Sequence, residues 1–178
     1  MISSEEYIQL KAFARQDGIL MGLLWVVALA CFVGSMTTPL LQFGFIAGVI
    51  ATPFVMLYRL RHFRDKVLDG YIPYGRAVLF CTLTMVYASL ITAAATLVYF
   101  YFIDNGLMMN TLRNNIEIPE VRQSLAQAGI SPDELEQQIE EVGKARPIDF
   151  AISIFCNGIV TSFLLSLLVG LAYKNRKH

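Results

Sequence analysis

The residues that could carry out chemistry in this chain are scattered rather than grouped. Its three cysteines all lie in apolar stretches, and its two histidines, His62 and His178, are far apart in the chain. A zinc site needs Cys or His ligands at short spacings, and a Ser or Cys nucleophile needs a base beside it. The sequence contains neither pattern and no glycine-rich phosphate loop. We therefore expect no enzymatic activity, no metal site and no cofactor.

The closest approach to a metal site is a group of three acidic residues. Asp133, Glu136 and Glu140 are spaced so that they share one face of a predicted helix. Calcium sites usually need more oxygen ligands and a looped backbone that brings them together. A solvated acidic surface is the simpler interpretation. The formal net charge of the chain is zero, so the chain also lacks the basic surface that binds nucleic acids.

The elements that must position any site are predicted to be membrane-spanning helices. Hydrophobic residues make up 56% of the 178 residues and charged residues only 16%, and the mean hydropathy is +0.55. This composition excludes an ordinary soluble domain. Charged residues are absent from three long runs, at 18–58, 77–103 and 150–173.

The first of these runs must cross a membrane twice. As one helix it would be roughly 60 Å long, whereas the hydrocarbon core of a bilayer is about 30 Å thick. The break is predicted from Ser35 to Pro39, where hydroxyl groups can satisfy free backbone groups and Pro39 can begin a helix. The sequence thus predicts a single membrane domain, an all-α integral-membrane four-helix bundle. Its spans lie at about 18–35, 39–58, 77–103 and 150–173.

The distribution of basic residues predicts the orientation of the spans. Ten lie on one side: Lys11, Arg15, Arg59, Arg61, Arg64, Lys66, Arg76, Lys174, Arg176 and Lys177. The long segment 104–147 on the other side has four basic residues alongside eight acidic ones. Because cytoplasmic segments are enriched in Lys and Arg, both termini should be cytoplasmic. Acidic residues before the first span argue against its being a cleaved signal peptide.

The connection between the second and third spans is strongly basic. Its candidate contacts to lipid headgroups are Arg59, Arg61, Arg64, Lys66 and Arg76. At headgroup level, each would gain about 1 kcal/mol from anionic lipids. A pocket for the phosphate of a lipid or nucleotide is the alternative, although topology alone accounts for most of these charges.

The segment 104–147 is predicted to form an extracytoplasmic helical hairpin. Its first helix would run from Pro119 to Gly129, since Pro favours the first turn and Gly favours the end of a helix. Its second helix would follow the capping residue Ser131 and end at Gly143.

Each helix of this hairpin carries an apolar stripe. The stripe of the second helix contains the candidate partner-docking residues Leu135, Ile139 and Val142. The stripe of the first consists of Val121, Leu125 and Ala128. The two stripes would pack on each other, or one of them would dock an extracytoplasmic protein partner.

Inside the predicted spans there is no Asp, Glu, Lys, Arg or His, and the polar residues are mildly polar or small. The candidate helix-packing residues recur at fourfold spacing: Gly44, Gly48, Gly158, Ser162, Ser166 and Gly170. Small residues allow close helix approach in lipid. These contacts could lie within one bundle or between chains of a homo-oligomer.

Three short runs near the ends of the third span carry a distinctive pattern. They are Phe63-Arg64-Asp65-Lys66 followed by Gly70-Tyr71-Ile72-Pro73-Tyr74-Gly75-Arg76-Ala77, and the outer Phe102-Ile103-Asp104. With them the chain resembles the bacterial domain-of-unknown-function family numbered 4199. Members commonly have Gly-Gly where this chain has Asp69-Gly70, and Pro where it has Asn105. The resemblance implies a small inner-membrane protein with a helical insertion before the last span, and it implies no established activity.

Three functions are open on the sequence. The favoured one is a non-enzymatic partner or accessory subunit of a membrane complex in the bacterial inner membrane. The second is a lipid-handling or small-solute transport protein, which predicts a cavity among Gln42, Thr52 and Asn157. The third is an enzyme of lipid-linked substrate chemistry, or an accessory to one, which needs polar groups converging near Arg64, Asp65 and Asp69.

Overall fold

The computed structural model describes residues 4–127 and 129–172. These residues contain seven helices and no strand: α1 (Ser4–Ser35), α2 (Leu41–Val67), α3 (Tyr74–Phe102), α4 (Leu107–Glu117), α5 (Pro119–Gln127), α6 (Pro132–Gly143) and α7 (Pro147–Ala172). The predicted all-α class is therefore confirmed. The helices α1, α2, α3 and α7 are each long and apolar enough to cross a membrane.

The long helices continue past the charge-free runs. α1 begins at Ser4 rather than near Gly18, and α2 ends at Val67 rather than at Tyr58. The added turns are rich in Glu, Gln, Lys and Arg, which have high helix propensity in water. An absence of charge marks where a helix can lie in hydrocarbon, but it does not mark where the backbone hydrogen bonds end.

The central helix of the bundle is α3. It packs most extensively on α7 and α1, while α2 packs mainly on α1. Half of the most apolar stretch of α3 is buried (50%), compared with 17% for those of α2 and α7. The packing order is therefore α2, α1, α3, α7, and the two outer helices expose most of their apolar surface.

The best-packed core lies where α2 connects to α3, which we call the α2–α3 end. Leu10, Phe63, Ile72 and Phe80 are fully buried there. Phe63 stacks on Phe80 with ring centroids 4.4 Å apart, and Phe13 packs on Phe63 at 5.6 Å. The opposite end of the bundle, which we call the α3–α4 end, carries the three short helices.

Candidate functional site

The three short helices form a small packed unit at the α3–α4 end. α4 packs on both α6 and α5, and α5 packs less extensively on α6. Met109 near the start of α4 lies next to Gly143 at the end of α6, so these two helices run in opposite directions. Arg122 of α5 donates a hydrogen bond from Nε to the carbonyl oxygen of Ile116 (3.1 Å), which joins α5 to the end of α4.

An open, apolar groove of about 300 Å³ lies between α4 and α6. It is lined by Met109, Leu112, Asn115, Ile116, Leu135, Gln138, Ile139 and Val142. The three residues proposed to dock a partner thus come together on one wall. Among them, Ile139 is only 7% exposed and Val142 is 44% exposed. The groove therefore presents partly exposed apolar side chains.

The structure differs from the predicted hairpin, because α4 is a third helix of this segment. Leu135, Ile139 and Val142 have α4 as their main neighbour, whereas one of the two alternatives predicted from the sequence packed them on the stripe of α5. Val121 and Leu125 of that stripe are half-buried. Ala128 lies outside the described residues.

The helix α4 is capped by an acid that does not directly precede it, which explains why the sequence did not reveal this helix. The Asp104 carboxylate accepts hydrogen bonds from the backbone N–H groups of Gly106 (3.1 Å) and Met108 (3.2 Å). It also accepts one from the hydroxyl of Tyr99 (2.7 Å), so the cap of α4 is tied to the last turns of α3. The position directly before α4 is Gly106, with φ +82°, and the acid precedes it by two residues. The usual pattern of a capping residue next to its helix is therefore missing.

The unit is also tied to the start of α7. Asp149 accepts hydrogen bonds from the backbone N–H of Arg146 (2.9 Å) and from its guanidinium nitrogens Nε (3.1 Å) and Nη2 (3.0 Å). These hydrogen bonds and the attraction between the two charges raise the pKa of Arg146 above its ordinary value. Because the pair is largely exposed, it positions the connection without contributing much to stability.

Charged side chains lie beside one end of the groove, and the segment 104–147 as a whole has a surplus of acidic residues. Beside Ile116 lie Arg113, Glu117, Arg122 and Glu136. The exposed acids of α6 are Glu134, Glu136, Glu140 and Glu141. Lys144 forms an exposed ion pair with Glu140 (3.1 Å), which neutralises only one of them.

The acidic group considered as a metal site is only partly described. Glu136 and Glu140 are exposed, and the side chain of Asp133 lies outside the described part of α6. Among the side chains that the structure describes, no group of three or more His, Cys, Asp or Glu residues is placed to hold a metal ion.

At the α2–α3 end, three of the five proposed headgroup contacts take part in ion pairs within the protein. The Nη2 atom of Arg76 lies 2.6 Å from Oε2 of Glu6. The Nε atom of Arg64 lies 2.7 Å from Oδ1 of the neighbouring Asp65. The third, Arg59, pairs with an acid of α1. The side chains of Arg61 and Lys66 are exposed.

The pair between Arg59 and Asp17 is the main feature that the sequence analysis missed. Asp17 is 2% exposed and Arg59 is 20% exposed, and the Nε atom of Arg59 is buried without a hydrogen-bond partner. Both residues directly flank the charge-free run from Gly18 to Tyr58. Since a run that crosses twice returns its ends to the same level, these two charges could have been predicted to meet.

Two of the proposed helix-packing residues lie between α1 and α2. A Cβ atom at Gly48 would lie 2.8 Å from Cβ of Ala28, and one at Gly44 would lie 2.9 Å from Sγ of Cys31. Real Cβ atoms do not approach so closely, so glycine permits the observed helix separation at both positions. Gly170 belongs to α7, and its surroundings lie outside the described residues.

The small residues of α7 face α3. A Cβ atom at Gly158 would collide with the side chain of Ser89. One turn further on, Ser162 is buried. The hydroxyls of Ser166 and Thr82 lie 2.8 Å apart and form a hydrogen bond between the two helices.

A second pair of glycines, which the sequence analysis overlooked, brings α1 against α3. A Cβ atom at Gly18 would lie 2.8 Å from the carbonyl oxygen of Thr84, and one at Gly22 would lie 2.9 Å from Cβ of Ile91. The same fourfold spacing that revealed Gly44 could have revealed them.

The polar residues proposed to line a transport cavity do not meet. Thr52 is buried between α1 and α2, where its hydroxyl accepts a hydrogen bond from Trp25 Nε1 and donates one to Gly48 O, both at 3.0 Å. Gln42 and Asn157 are exposed, on the two outer helices α2 and α7.

The acids proposed to support lipid-linked chemistry are placed at the end of α2. Asp65 is paired with Arg64, and Asp69 is exposed in the connection to α3 with φ +49°. The left-handed conformation of Asp69 is one that glycine adopts most easily. Its position is therefore that of a turn residue.

Comparison with known proteins gives one match. A family model described as "Protein of unknown function (DUF4199)" matches residues 16–175. No curated protein and no solved structure matches the chain. The family match includes α2, α3, α7 and the three short helices in full, and α1 from residue 16 onwards. The chain therefore belongs to this family of proteins of unknown function.

Proposed function

We propose that this protein is a multi-pass protein of the bacterial inner membrane that acts as a non-enzymatic partner or accessory subunit of a membrane complex. In this proposal α1, α2, α3 and α7 cross the bilayer, and the exposed apolar faces of α2 and α7 lie within its hydrocarbon core. The basic α2–α3 end and both termini face the cytoplasm, because Lys and Arg are enriched on that side. The unit of α4, α5 and α6 then lies outside the cytoplasm.

The observation that carries the proposal is the apolar groove between α4 and α6. A groove of this kind gains free energy when a partner removes its walls from water. Val142 and the partly exposed Leu135 offer apolar surface on one wall. Within the described residues, no set of catalytic side chains converges at the groove.

The charges around the groove indicate the chemistry of the partner. The exposed acids of α6 outnumber the basic residues at the groove, and only Glu140 among them is paired with a lysine. An amphipathic helix that inserts apolar side chains at intervals of three or four residues and carries Lys or Arg beside them fits this surface. Complementary charge would increase the rate of association and orient the partner.

Photocrosslinking in native membranes tests the proposal. A photoreactive side chain at Val142 should give a crosslink to one defined membrane or extracytoplasmic protein, identified by mass spectrometry. Substituting Leu135→Asp in the same chain should reduce that crosslink about tenfold or more, because a buried charge without a partner costs several kcal/mol.

A matched control uses Ile130, which is exposed to nearly the same extent as Val142 (45% against 44%) but does not line the groove. A photoreactive side chain there should not give the same crosslink. Equal crosslinks from both positions, or a crosslink from Val142 that Leu135→Asp leaves intact, would contradict the proposed docking site. Expression level and membrane fraction, measured for each variant, separate loss of docking from loss of the protein.

Contacts with anionic lipids remain part of the proposal, at the opposite end of the molecule. Arg61 and Lys66 have exposed side chains on the last turns of α2, where headgroups would lie. Arg59 and Arg76 are half-buried beside Asp17 and Glu6, so their charges would contribute less to lipid binding.

A further inference from the structure

The face of α7 that points away from α3 carries a second ordered pattern. Its residues recur at alternating intervals of four and three, the repeat of a helix that pairs with another in a left-handed crossing. They are Ser153, Asn157, Val160, Leu164, Leu167 and Leu171. Five of the six are exposed, and Leu167 is half-buried. We call this row the α7 seam.

The α7 seam is separate from the contact between α7 and α3. Ala151, Ser162, Ser166 and Val169 are buried on that contact face, whereas Val160 and Leu164 are 61% and 58% exposed. The buried residues and the seam residues lie on opposite sides of the helix. The seam is therefore a second potential contact face of the same helix.

Asn157 is the residue that distinguishes this seam from an ordinary lipid-facing surface. It lies about 4 Å along the axis from the midpoint of α7 between Ile159 and Val160. Its side chain is exposed and makes no hydrogen bond to any residue in the part of the chain that the structure describes. In hydrocarbon an amide in this state is costly, because nothing replaces its hydrogen bonds to water.

The partner that best satisfies this amide is a second copy of the chain. An amide carries a donor with partial positive charge and an acceptor with partial negative charge, so two Asn157 side chains are complementary across a two-fold axis. Copies inserted in the same orientation present parallel seams, in which residues at the same position meet. A polar Asn at one such position is known to set the register of parallel helix pairs.

We infer that the protein forms a parallel homodimer through the α7 seam, with the two Asn157 side chains hydrogen-bonded to each other. The inference rests on the membrane insertion proposed above and does not depend on the groove. Val160, Leu164 and Leu171 pack on their counterparts on the carboxy-terminal side of the amides. The gain comes from packing and hydrogen bonding rather than from the aqueous hydrophobic effect.

Energy transfer between labelled copies in lipid vesicles tests the inference. Donor- and acceptor-labelled full-length protein, reconstituted at increasing lipid dilution, should show a monomer–dimer equilibrium. Asn157→Leu should raise the dissociation constant about three- to tenfold, the range expected for one hydrogen bond between membrane helices. Gln42→Leu is the matched control, since it removes another exposed amide on α2 outside the seam, and its dissociation constant should stay within about twofold.

Disulfide formation provides a second measurement that does not depend on the stability of Asn157→Leu. In a chain carrying Cys156→Ser, mild oxidation should link copies with Val160→Cys but not copies with Ile159→Cys, which lies at nearly the same depth and off the seam. Absence of energy transfer at every dilution, or equal linking of both cysteine variants, would overturn the dimer. Linking of Val160→Cys to a different protein in native membranes would also overturn it.

Failure of the dimer can be distinguished from failure of the proposed function. A protein that resists alkaline extraction from the vesicles and shows no energy transfer is inserted but does not dimerise through α7. A protein that alkali extracts contradicts membrane insertion itself.

Discussion

Phe63 and Phe80 stack inside a core at the α2–α3 end that Leu10 and Ile72 complete, whereas the three short helices at the other end bury very little. In α4 and α6 the buried residues include Ile116 and Ile139, and α5 has none among its described residues. The first region is closed by its own side chains. The second leaves an apolar groove open to solvent.

The contrast indicates what each region can do. The α2–α3 end brings together three helices and includes the largely buried pair of Asp17 and Arg59, so its core is closed by side chains of this chain. The unit at the α3–α4 end depends on attachment at its two ends, through Asp104 to α3 and through Asp149 to the start of α7. A partner that covers the groove would supply the burial that this unit lacks.

The prediction with the largest expected effect is that the membrane separates the two ends of the bundle. Lys144 and Lys66 are both exposed, at opposite ends of the bundle. In spheroplasts, a membrane-impermeant amine reagent should label Lys144 fully and Lys66 only after the membrane is permeabilised. Peptide mass spectrometry measures both in one sample, and Lys144→Arg should remove the first signal. Labelling of Lys66 in sealed spheroplasts while Lys144 stays protected would mean that the two ends are exchanged.

The sequence predicts the apolar helices well because length and charge constrain them strongly. The end of α1 at Ser35 falls at the predicted break, and α6 begins after Ser131 and ends at Gly143 as predicted, although the Ser131 side chain makes no capping hydrogen bond. These features depend on residues close together in the chain. The helix α4 escaped prediction because its cap, Asp104, also depends on Tyr99 and on the backbone of a glycine turn.

The groove and the ion pairs depend on contacts between residues far apart in the chain. The apolar stripe of α6 was visible in the sequence, but which helix covers it was not, because Leu112 and Ile116 belong to the helix that was missed. The pair of Asp17 and Arg59 follows from the predicted topology once the ends of a double crossing are considered together.

The second largest expected effect concerns the ion pair between Asp17 and Arg59. Asp17→Asn should lower the free energy of unfolding by about 3 kcal/mol, because it leaves the largely buried guanidinium of Arg59 without a counter-charge. Arg59→Gln should cost a similar amount, and the double variant should lose clearly less than the sum of the two. Unfolding by SDS in mixed micelles measures all three.

The exposed pair at the other end is the control for this cycle. Arg146 and Asp149 are 76% and 39% exposed, and exposed pairs of this kind couple by about 1 kcal/mol or less. The cycle of Arg146→Gln and Asp149→Asn should therefore give a much smaller coupling. Equal coupling energies for the two ion pairs would contradict the proposed energetic difference between the closed α2–α3 end and the open α3–α4 end.

The smallest effect concerns the attachment of α4. Asp104→Ala removes the acceptor of three hydrogen bonds and should destabilise the start of α4 locally by about 1–2 kcal/mol, while Asp104→Asn keeps a capping oxygen and should cost much less. Hydrogen exchange at the Met108 amide should accelerate roughly tenfold in the alanine variant. The amide of Phe63 should be unaffected, because no described contact joins it to this unit. If both amides accelerated equally, the two ends would unfold together, and the short helices would be a part of the closed core rather than a separate surface held ready for a partner.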